Sequence, residues 1–398
     1  MMIGNRIKQA RLALGLTLDE VVERIDRSIT KAALSKYENN RSVPKPKMLI
    51  SIARALNQKA AYFLREDQPR IEWIAYRRHS TLGRKKQSKI EAFAANYVER
   101  YFNLNEIFYP DEIPQFPKPL KVSLPEEAEK IASSLRGDWK LSDYPIKSVT
   151  QIVEDKGAVL VDWQEQDKFD GLSGLVDNSF PVIVTNTRMS DDRIRYNICH
   201  ELGHLLTEVG VDDPRVEEKI AHRFAGAFLV PAESLYRELG TKRRHLSLSE
   251  LSLLKEKYGI SMQALIYRAK DLGLINYNHY RDLNMRFRAR GWHRREPVEY
   301  SGMESPNRLK LMVARALAEG IVSREKCLNI CPEIKGALEV MEPEAEKISH
   351  AERLMKLPIG ERRKVLEAAG VDAIKVCNND PELREFDSLD GEEYAEEG

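Results

Sequence analysis

Ile198-Cys199-His200-Glu201-Leu202-Gly203-His204-Leu205-Leu206 contains the pattern H-E-x-x-H. On a helix, residues four apart share a face, so His200 and His204 can point at one metal ion, with Glu201 beside the water held there. The flanking sequence places the run. Pro181-Val182-Ile183-Val184-Thr185 predicts a strand, and Asn186 to Asp192 is polar and turn-rich. From Arg193 onward Ile194, Ile198, Leu202 and Leu205 fall at helical spacing. The two histidines are thus predicted on a helix that also buries an apolar stripe.

A catalytic zinc ion commonly takes three protein ligands and keeps a fourth position open. The next predicted helix, Glu217 to Pro231, offers the third: Ala221, Phe224, Ala225 and Phe228 mark its packing side, and Pro231 lies near its end. Glu218 and His222, four apart, share a face. Glu218 is assigned as third ligand and His222 as a group that orients a ligating histidine; Glu217, one residue away, competes, and spacing alone does not separate the two glutamates. The chemistry such residues suit is peptide hydrolysis. Zn2+ would supply Lewis acidity, and Glu201, which is not a ligand, would act as general base and then acid. Arg195, Tyr196 and His222 are candidates for stabilising the tetrahedral intermediate.

From about Leu124 to Ile275 the chain resembles the ImmA/IrrE family of zinc metallopeptidases. The carriers are Gly157 to Val161, Asp170-Gly171-Leu172-Ser173-Gly174, Arg195-Tyr196-Asn197 leading into His200-Glu201-Leu202-Gly203-His204, and Glu218-Lys219-Ile220-Ala221 with Phe224-Ala225 and Pro231. The family's Glu-x-x-Ala-(Asn or Asp)-x-Phe-Ala pattern favours Glu218 over Glu217. His222 departs from it, standing where the family has Asn or Asp, which admits His222 as an extra ligand or an oxyanion-stabilising group. The resemblance implies a zincin-like domain with a small sheet, in which Ala158 to Val161 and Asp170 to Val176 are neighbouring strands.

At the amino end four short helices are predicted: Gly4 to Leu14, Thr17 to Ile25, Lys31 to Asn39 and Pro46 to Leu56. Thr17-Leu18-Asp19-Glu20 opens the second as a capping box. The third carries small apolar residues for close packing and a polar face able to reach phosphates and base edges. Thr30, Lys31, Ser35, Lys36, Asn39 and Arg41 are read as the DNA-contacting set of a helix-turn-helix. Arg6 to Arg11, Gly15-Leu16-Thr17-Leu18, Leu34-Ser35-Lys36-Tyr37-Glu38 and Leu49 to Leu56 resemble the Xre/Cro-type DNA-binding domain. The connection Asp26-Arg27-Ser28-Ile29-Thr30 departs from that pattern's short glycine-containing turn.

The net charge of +1 over 398 residues conceals two opposed ends. Arg70, Arg77, Arg78, Arg84, Lys85, Lys86 and Lys89 extend the basic character of the first domain, as nucleic-acid binding requires. Asp380 to Glu397 forms an acidic tail, expected to be disordered and solubilising. No run is long enough to span a bilayer and no secretory leader is present, so a cytoplasmic location is expected. Four cysteines, Cys199, Cys327, Cys331 and Cys377, make no secreted disulfide framework. Cys199 is read as a small buried residue.

The chain is therefore expected to be α+β and mostly helical: a helix-turn-helix domain (1–66), a helical linker (67–123), a zincin-like metallopeptidase domain (124–290), a helical region (291–378) and an acidic tail (379–398). Ser247 to Leu274 is expected to be a helical pair closing the peptidase core rather than a second DNA reader. Two function classes follow. One is a regulator that sits on a double-stranded operator, as a homodimer on a two-fold site, and cuts a repressor or antitoxin encoded nearby when a signal arrives. The other is a transcription factor or antitoxin whose metallopeptidase fold senses metal or ligand without cutting. An intact Glu201 argues for the first.

Overall fold

The computed structural model describes residues 3–58, 60–64, 69–74, 83–165, 169–210 and 213–340, with short pieces at 359–361, 363–364 and 366. Arg77, Arg78, Cys377 and the acidic tail lie outside the described residues. The chain divides into two compact units, Met1–Val322 and Ser323–Gly398.

The first unit begins with the expected bundle: α1 (Ile3–Ala13), α2 (Leu18–Arg24), α3 (Lys31–Glu38), α4 (Pro46–Ala55) and a 3-10 turn (Ala60–Leu64). Thr17 and Glu20 form the capping box of α2, each side chain answering the other's backbone N–H. Asp26 and Arg27 take left-handed backbone at φ 53° each, which supplies without glycine the reversal that the sequence left open. Ile7, Val21, Leu34, Ile52 and Leu56 are fully buried in the centre of the bundle. Burying each aliphatic side chain contributes about 1.5–3 kcal/mol, the main force holding so small a bundle together. Arg11 grips both carboxylate oxygens of Glu38 at 2.7 and 2.9 Å and donates to the Leu16 carbonyl, tying α1 to α3 and to the turn before α2.

Next comes β1 (Ile71–Trp73) and then α5 (Arg84–Phe108). The stretch expected to be a helical linker therefore also contributes strands, because β2 (Leu120–Val122) follows as well. Helices α6 (Glu127–Asp138) and α7 (Val149–Asp155) precede β3 (Val159–Trp163), β4 (Gly171–Val176) and β5 (Phe180–Asn186). The sheet order is β1-β4-β5-β3, with β3 parallel to β5 and the other pairs antiparallel. β4 is thus the neighbour of β5 and not of β3, contrary to the sequence expectation. The β4–β5 hairpin turns at Asp177 and Asn178, both left-handed (φ 47° and 58°), which suits adjacent antiparallel strands.

On this sheet lies α8 (Asp191–Leu206), against which α9 (Pro214–Leu229) packs; β6 (Thr207–Val209) falls between the two helices in sequence and pairs in parallel with β2. Then follow α10 (Ala232–Leu239), α11 (Leu248–Tyr258), α12 (Met262–Asp271), α13 (Tyr277–Ala289) and α14 (Arg308–Ala318). Leu251, Leu254, Met262, Leu265 and Ile266 join the same buried core as Ile198, Leu202, Phe224 and Phe228. The α11–α12 pair closes the core built around α8 and α9, as the sequence suggested. The second unit contains α15 (Arg324–Ile330), a 3-10 turn (Pro332–Ile334) and α16 (Lys335–Val340), with Cys327 and Cys331 buried. Among the described residues no helix is long and apolar enough to cross a membrane.

Candidate active site

Helix α8 carries both histidines because its apolar residues leave one stripe for the core and one for the site. Ile194, Ile198, Leu202 and Leu205 face inward. Its first turn holds Asp191 and Asp192, favourable at the positive helix end. Asp192 is also bound by Lys255 at 2.8 Å. At the far end the Thr207 hydroxyl donates to the Gly203 carbonyl, and the chain passes directly into β6.

Helix α9 starts with Asp213 as N-cap and Pro214 in its first turn, which sets Glu217 and Glu218 one turn in. It lies unusually close to α8. A Cβ added at Gly203 would stand 2.9 Å from the Ala221 Cα and 3.3 Å from its Cβ, so glycine inside the motif is what permits the contact. The motif therefore sets a helix spacing as well as a ligand pair.

That spacing brings three donors together. His200 Nε2 and His204 Nε2 are 3.1 Å apart, Glu218 Oε2 is 3.3 Å from the first, and Glu218 Oε1 is 3.6 Å from the second. Ligand atoms about 2.1 Å from a tetrahedral zinc ion stand roughly 3.4 Å from one another. The observed distances lie near that value, and one ligand atom from each residue lies within 4.8 Å of the others, so the three side chains are spaced to suit a metal ion. Among the described residues these three form a metal-sized cluster of His, Cys, Asp or Glu donors.

Glu217 has a different position from its neighbour. Its Oε1 lies 3.5 Å from His204 Nδ1, the ring nitrogen that faces away from the donor cluster. The two glutamates that spacing left unresolved thus address opposite sides of one imidazole. Burial opposes a charge on His204, but Glu217 and Glu218 outweigh it and push its pKa up to about 10. Hydrogen bonds from His200 and His204 hold the Glu218 carboxyl far below the usual carboxylate range. The cluster is therefore built to hold positive charge, and a divalent cation entering it releases protons.

Glu201 is buried, 6% exposed, and turned toward β4. The Ser173 hydroxyl donates to its Oε2 at 2.6 Å, and a Cβ at Gly171 would come within 2.9 Å of its Oε1. Ser173 and Gly171 thus fix the carboxylate, a role no sequence signal had given them beyond their place in the Asp170–Gly174 run. Cys199 is fully buried and its thiol is pushed up by that burial, as fits a packing residue.

Of the three candidates for transition-state contacts, the structure brings two to the donor cluster. Tyr196 Oη is 3.2 Å from His222 Nδ1, and the His222 ring centre is 4.4 Å from that of His200. His222 Nε2 lies 4.0 Å from Glu218 Oε2, beyond hydrogen-bond reach, so it does not orient that ligand directly. Desolvation and the neighbouring His200 push His222 downward, toward the neutral imidazole. Arg195 is different. It is fully buried on the other face of α8, bound to Glu304 at 2.6 Å and to the carbonyls of Ile146, Lys147, Tyr258 and Gly259. All of its donor directions are taken by structural acceptors, which removes it from the reaction.

In the helix-turn-helix bundle, Lys36, Asn39 and Arg41 are exposed on or just beyond α3. Thr30 is the α3 N-cap, its hydroxyl accepting the Ala33 N–H, and Lys31 pairs with Asp19 at 2.6 Å. Asn39 donates to the Ser35 carbonyl at 2.8 Å. Lys36 and Arg41 thus extend most directly from this face, while Thr30 first serves the helix.

Residues 161–270 match the family model described as IrrE N-terminal-like domain, a peptidase family, and residues 7–63 match the helix-turn-helix model. Residues 7–63 are thus similar to an XRE-type helix-turn-helix domain and residues 161–270 to an IrrE-like peptidase domain. A comparison with curated proteins gives no match.

Proposed function

We propose that this chain is a DNA-bound regulator whose peptidase domain hydrolyses a regulatory protein of the repressor or antitoxin class in response to a signal. The observation that carries the reading is Glu201: a buried carboxylate, outside the donor set, held by Ser173 beside a cluster of zinc-like dimensions. A structural metal site needs no such extra acid. His200, His204 and Glu218 would hold a zinc ion, which would supply Lewis acidity toward a peptide carbonyl and acidify water. Glu201 removes the proton of the attacking water and delivers it to the departing amine. Glu217 holds the His204 ring in orientation through Nδ1. Tyr196 and His222, half-exposed at the rim, donate to the carbonyl oxygen as charge develops on it. Lys36, Arg41 and the neighbouring polar residues of α3 contact the duplex.

The decisive experiment is Glu201→Gln in the full chain, assayed against the product of the adjacent gene together with metal analysis and operator binding. Cleavage is expected to vanish while metal content and DNA affinity stay as they were. If the regulatory output survives in that variant, proteolysis is not the function, and the metal-sensing transcription factor takes its place. Lys36→Gln with Arg41→Gln is expected to weaken operator binding and flatten its salt dependence; unchanged affinity overturns the assignment of α3.

A further inference from the structure

The matched segments end at residue 270, and immediately afterwards the chain becomes strongly basic. From Tyr277 to Arg295 it carries six arginines against a single acid, Asp282. Helix α13 turns Leu283 and Phe287 into the core, which obliges the remaining charges to face outward. Arg281, Arg286, Arg288 and Arg290 are all exposed. Arg281 and Arg288, seven residues apart, lie on one line of the helix about 10 Å from one another along its axis.

A second element joins the same surface. The loop before α11 carries Lys242 and Arg244, both exposed, and is pinned to α13 where the Leu246 N–H donates to His279 Nε2 at 3.0 Å. His245 and His279 meet edge to face at 5.3 Å. Arg286 bears electrostatically on His279, as Asp282 does with opposite sign. Other nearby acids are already engaged: Glu250 with Arg243 at 2.7 Å, and Asp271 with Lys270 and Arg223. Exposed cations of two separate elements thus flank the His279 contact, Arg286 on that side of α13 and Lys242 and Arg244 on the loop, while Arg281 and Arg288 carry the positive charge round the helix, with Asp282 the one acid of α13. Such an arrangement costs self-repulsion and is relieved by a polyanion.

We propose that this face, built from α13 and the 241–246 loop, is a second nucleic-acid contact that binds the phosphate backbone of duplex DNA without reading sequence. A duplex is the polyanion argued for because residues 7–63 of the same unit match the helix-turn-helix model, and the inference rests on the proposed reading that this domain binds DNA. Guanidinium groups suit phosphate by bidentate geometry, and contacts of this kind add affinity and salt sensitivity rather than specificity.

The test measures binding of the full chain to a labelled duplex of arbitrary sequence by fluorescence anisotropy over a KCl series. The fourfold variant Arg281→Gln, Arg286→Gln, Arg288→Gln and Arg290→Gln is expected to lose at least tenfold in affinity. Its plot of log affinity against log salt is expected to flatten by about 2 to 4 units, near 0.9 for each phosphate contact removed. The corresponding arginine-to-lysine variant is expected to keep most of the binding, which separates charge from helix packing. Lys242→Gln with Arg244→Gln, on the other element, is expected to flatten the slope as well and covers the case in which the fourfold variant does not fold. Parental affinity and slope in both glutamine variants overturn the proposal. So does a fourfold variant that binds duplex normally but loses a polyglutamate probe, because the face then serves an acidic polypeptide. Failure of Lys36→Gln with Arg41→Gln to affect an operator counts against α3 alone and leaves this surface standing.

Discussion

At the scale of single residues, the different placements of Glu217 and Glu218 about His204 are the sharpest finding, and we propose different roles for the two. Adjacent carboxylates on a helix point about 100° apart, and here that rotation places one on the Nε2 side of His204 and the other on the Nδ1 side. The roles make different demands. Glu218→Gln removes a charged donor from the cluster, and metal content after dialysis is expected to collapse. Glu217→Gln keeps all three donors and loosens only the ring behind one of them. Metal affinity is then expected to fall about 10- to 100-fold, as is usual for groups behind a ligating histidine. Competition with a chromogenic chelator measures both, and equal losses in the two variants would contradict the separation. Arg195 makes the converse point. Proximity in sequence to His200 suggested chemistry, yet a shift of five residues along a helix turns a side chain through about 140° to the opposite face. There it meets Glu304, a partner 109 residues away.

At the scale of elements, the pivotal contact is α8 against α9. Gly203 costs α8 about 1 kcal/mol of helix propensity relative to alanine, so Gly203→Ala on an isolated helix would stabilise it. Here the new methyl meets the Ala221 backbone, and forcing extra volume into a packed interface costs about 1–3 kcal/mol. The steric effect is larger. Gly203→Ala is expected to lower the melting temperature and to weaken metal binding together, since Glu218 rides on the displaced helix; a more stable protein with unchanged metal affinity would refute the account. The same contrast explains what was legible in the chain. Helix limits were legible where a local signal marks them, as Thr17 with Glu20 and Pro46 do, but Pro214 was not read as a start and α9 begins ahead of the expected Glu217. The histidine pair was legible for the same reason, its spacing of four being local to α8, whereas Glu218 was preferred to Glu217 only through the family resemblance. Strand order was not: Ala158 to Val161 and Asp170 to Val176 have compatible patterns, but pairing depends on which edge the β4–β5 hairpin leaves available. The basic face of α13 passed unnoticed because whole-chain charge averages it away.

At the scale of the molecule, the first unit is fastened by buried charges that reach far along the chain. Arg6 of α1 contacts both oxygens of Glu99 on α5 at 2.9 and 3.0 Å, while Phe93 and Phe102 of α5 rest edge-on against Trp163 and Phe180 of the sheet. The amino-terminal bundle and the sheet are therefore gripped by one helix. The segment after α13 is anchored in the same way. Glu296 accepts the first N–H groups of α12, and Glu304 accepts those of Val149 and Thr150 at the start of α7. Glu154 at the end of α7 in turn accepts the N–H groups of Asn307 and Arg308, which open α14. Burial dominates at Glu154 and raises its pKa to about 7, against the lowering effect of those N–H groups and of Arg308. The raised value means that the folded chain retains a proton which the unfolded chain has released. This contribution to stability is complete below the ordinary carboxylate value and is lost as pH climbs from there through about 7. A tenfold difference in proton affinity between the folded and unfolded chain corresponds to about 1.4 kcal/mol, so the full loss is about 3 kcal/mol. Glu154→Gln keeps an acceptor for the α14 N–H groups and has no proton to lose. Urea unfolding of the parent and this variant is expected to give similar stability at pH 5 and an advantage of about 2–3 kcal/mol for the variant at pH 8. Every other ionisable group is common to both proteins, so the difference isolates Glu154; parallel pH profiles would show that its carboxyl titrates at its ordinary value in the fold.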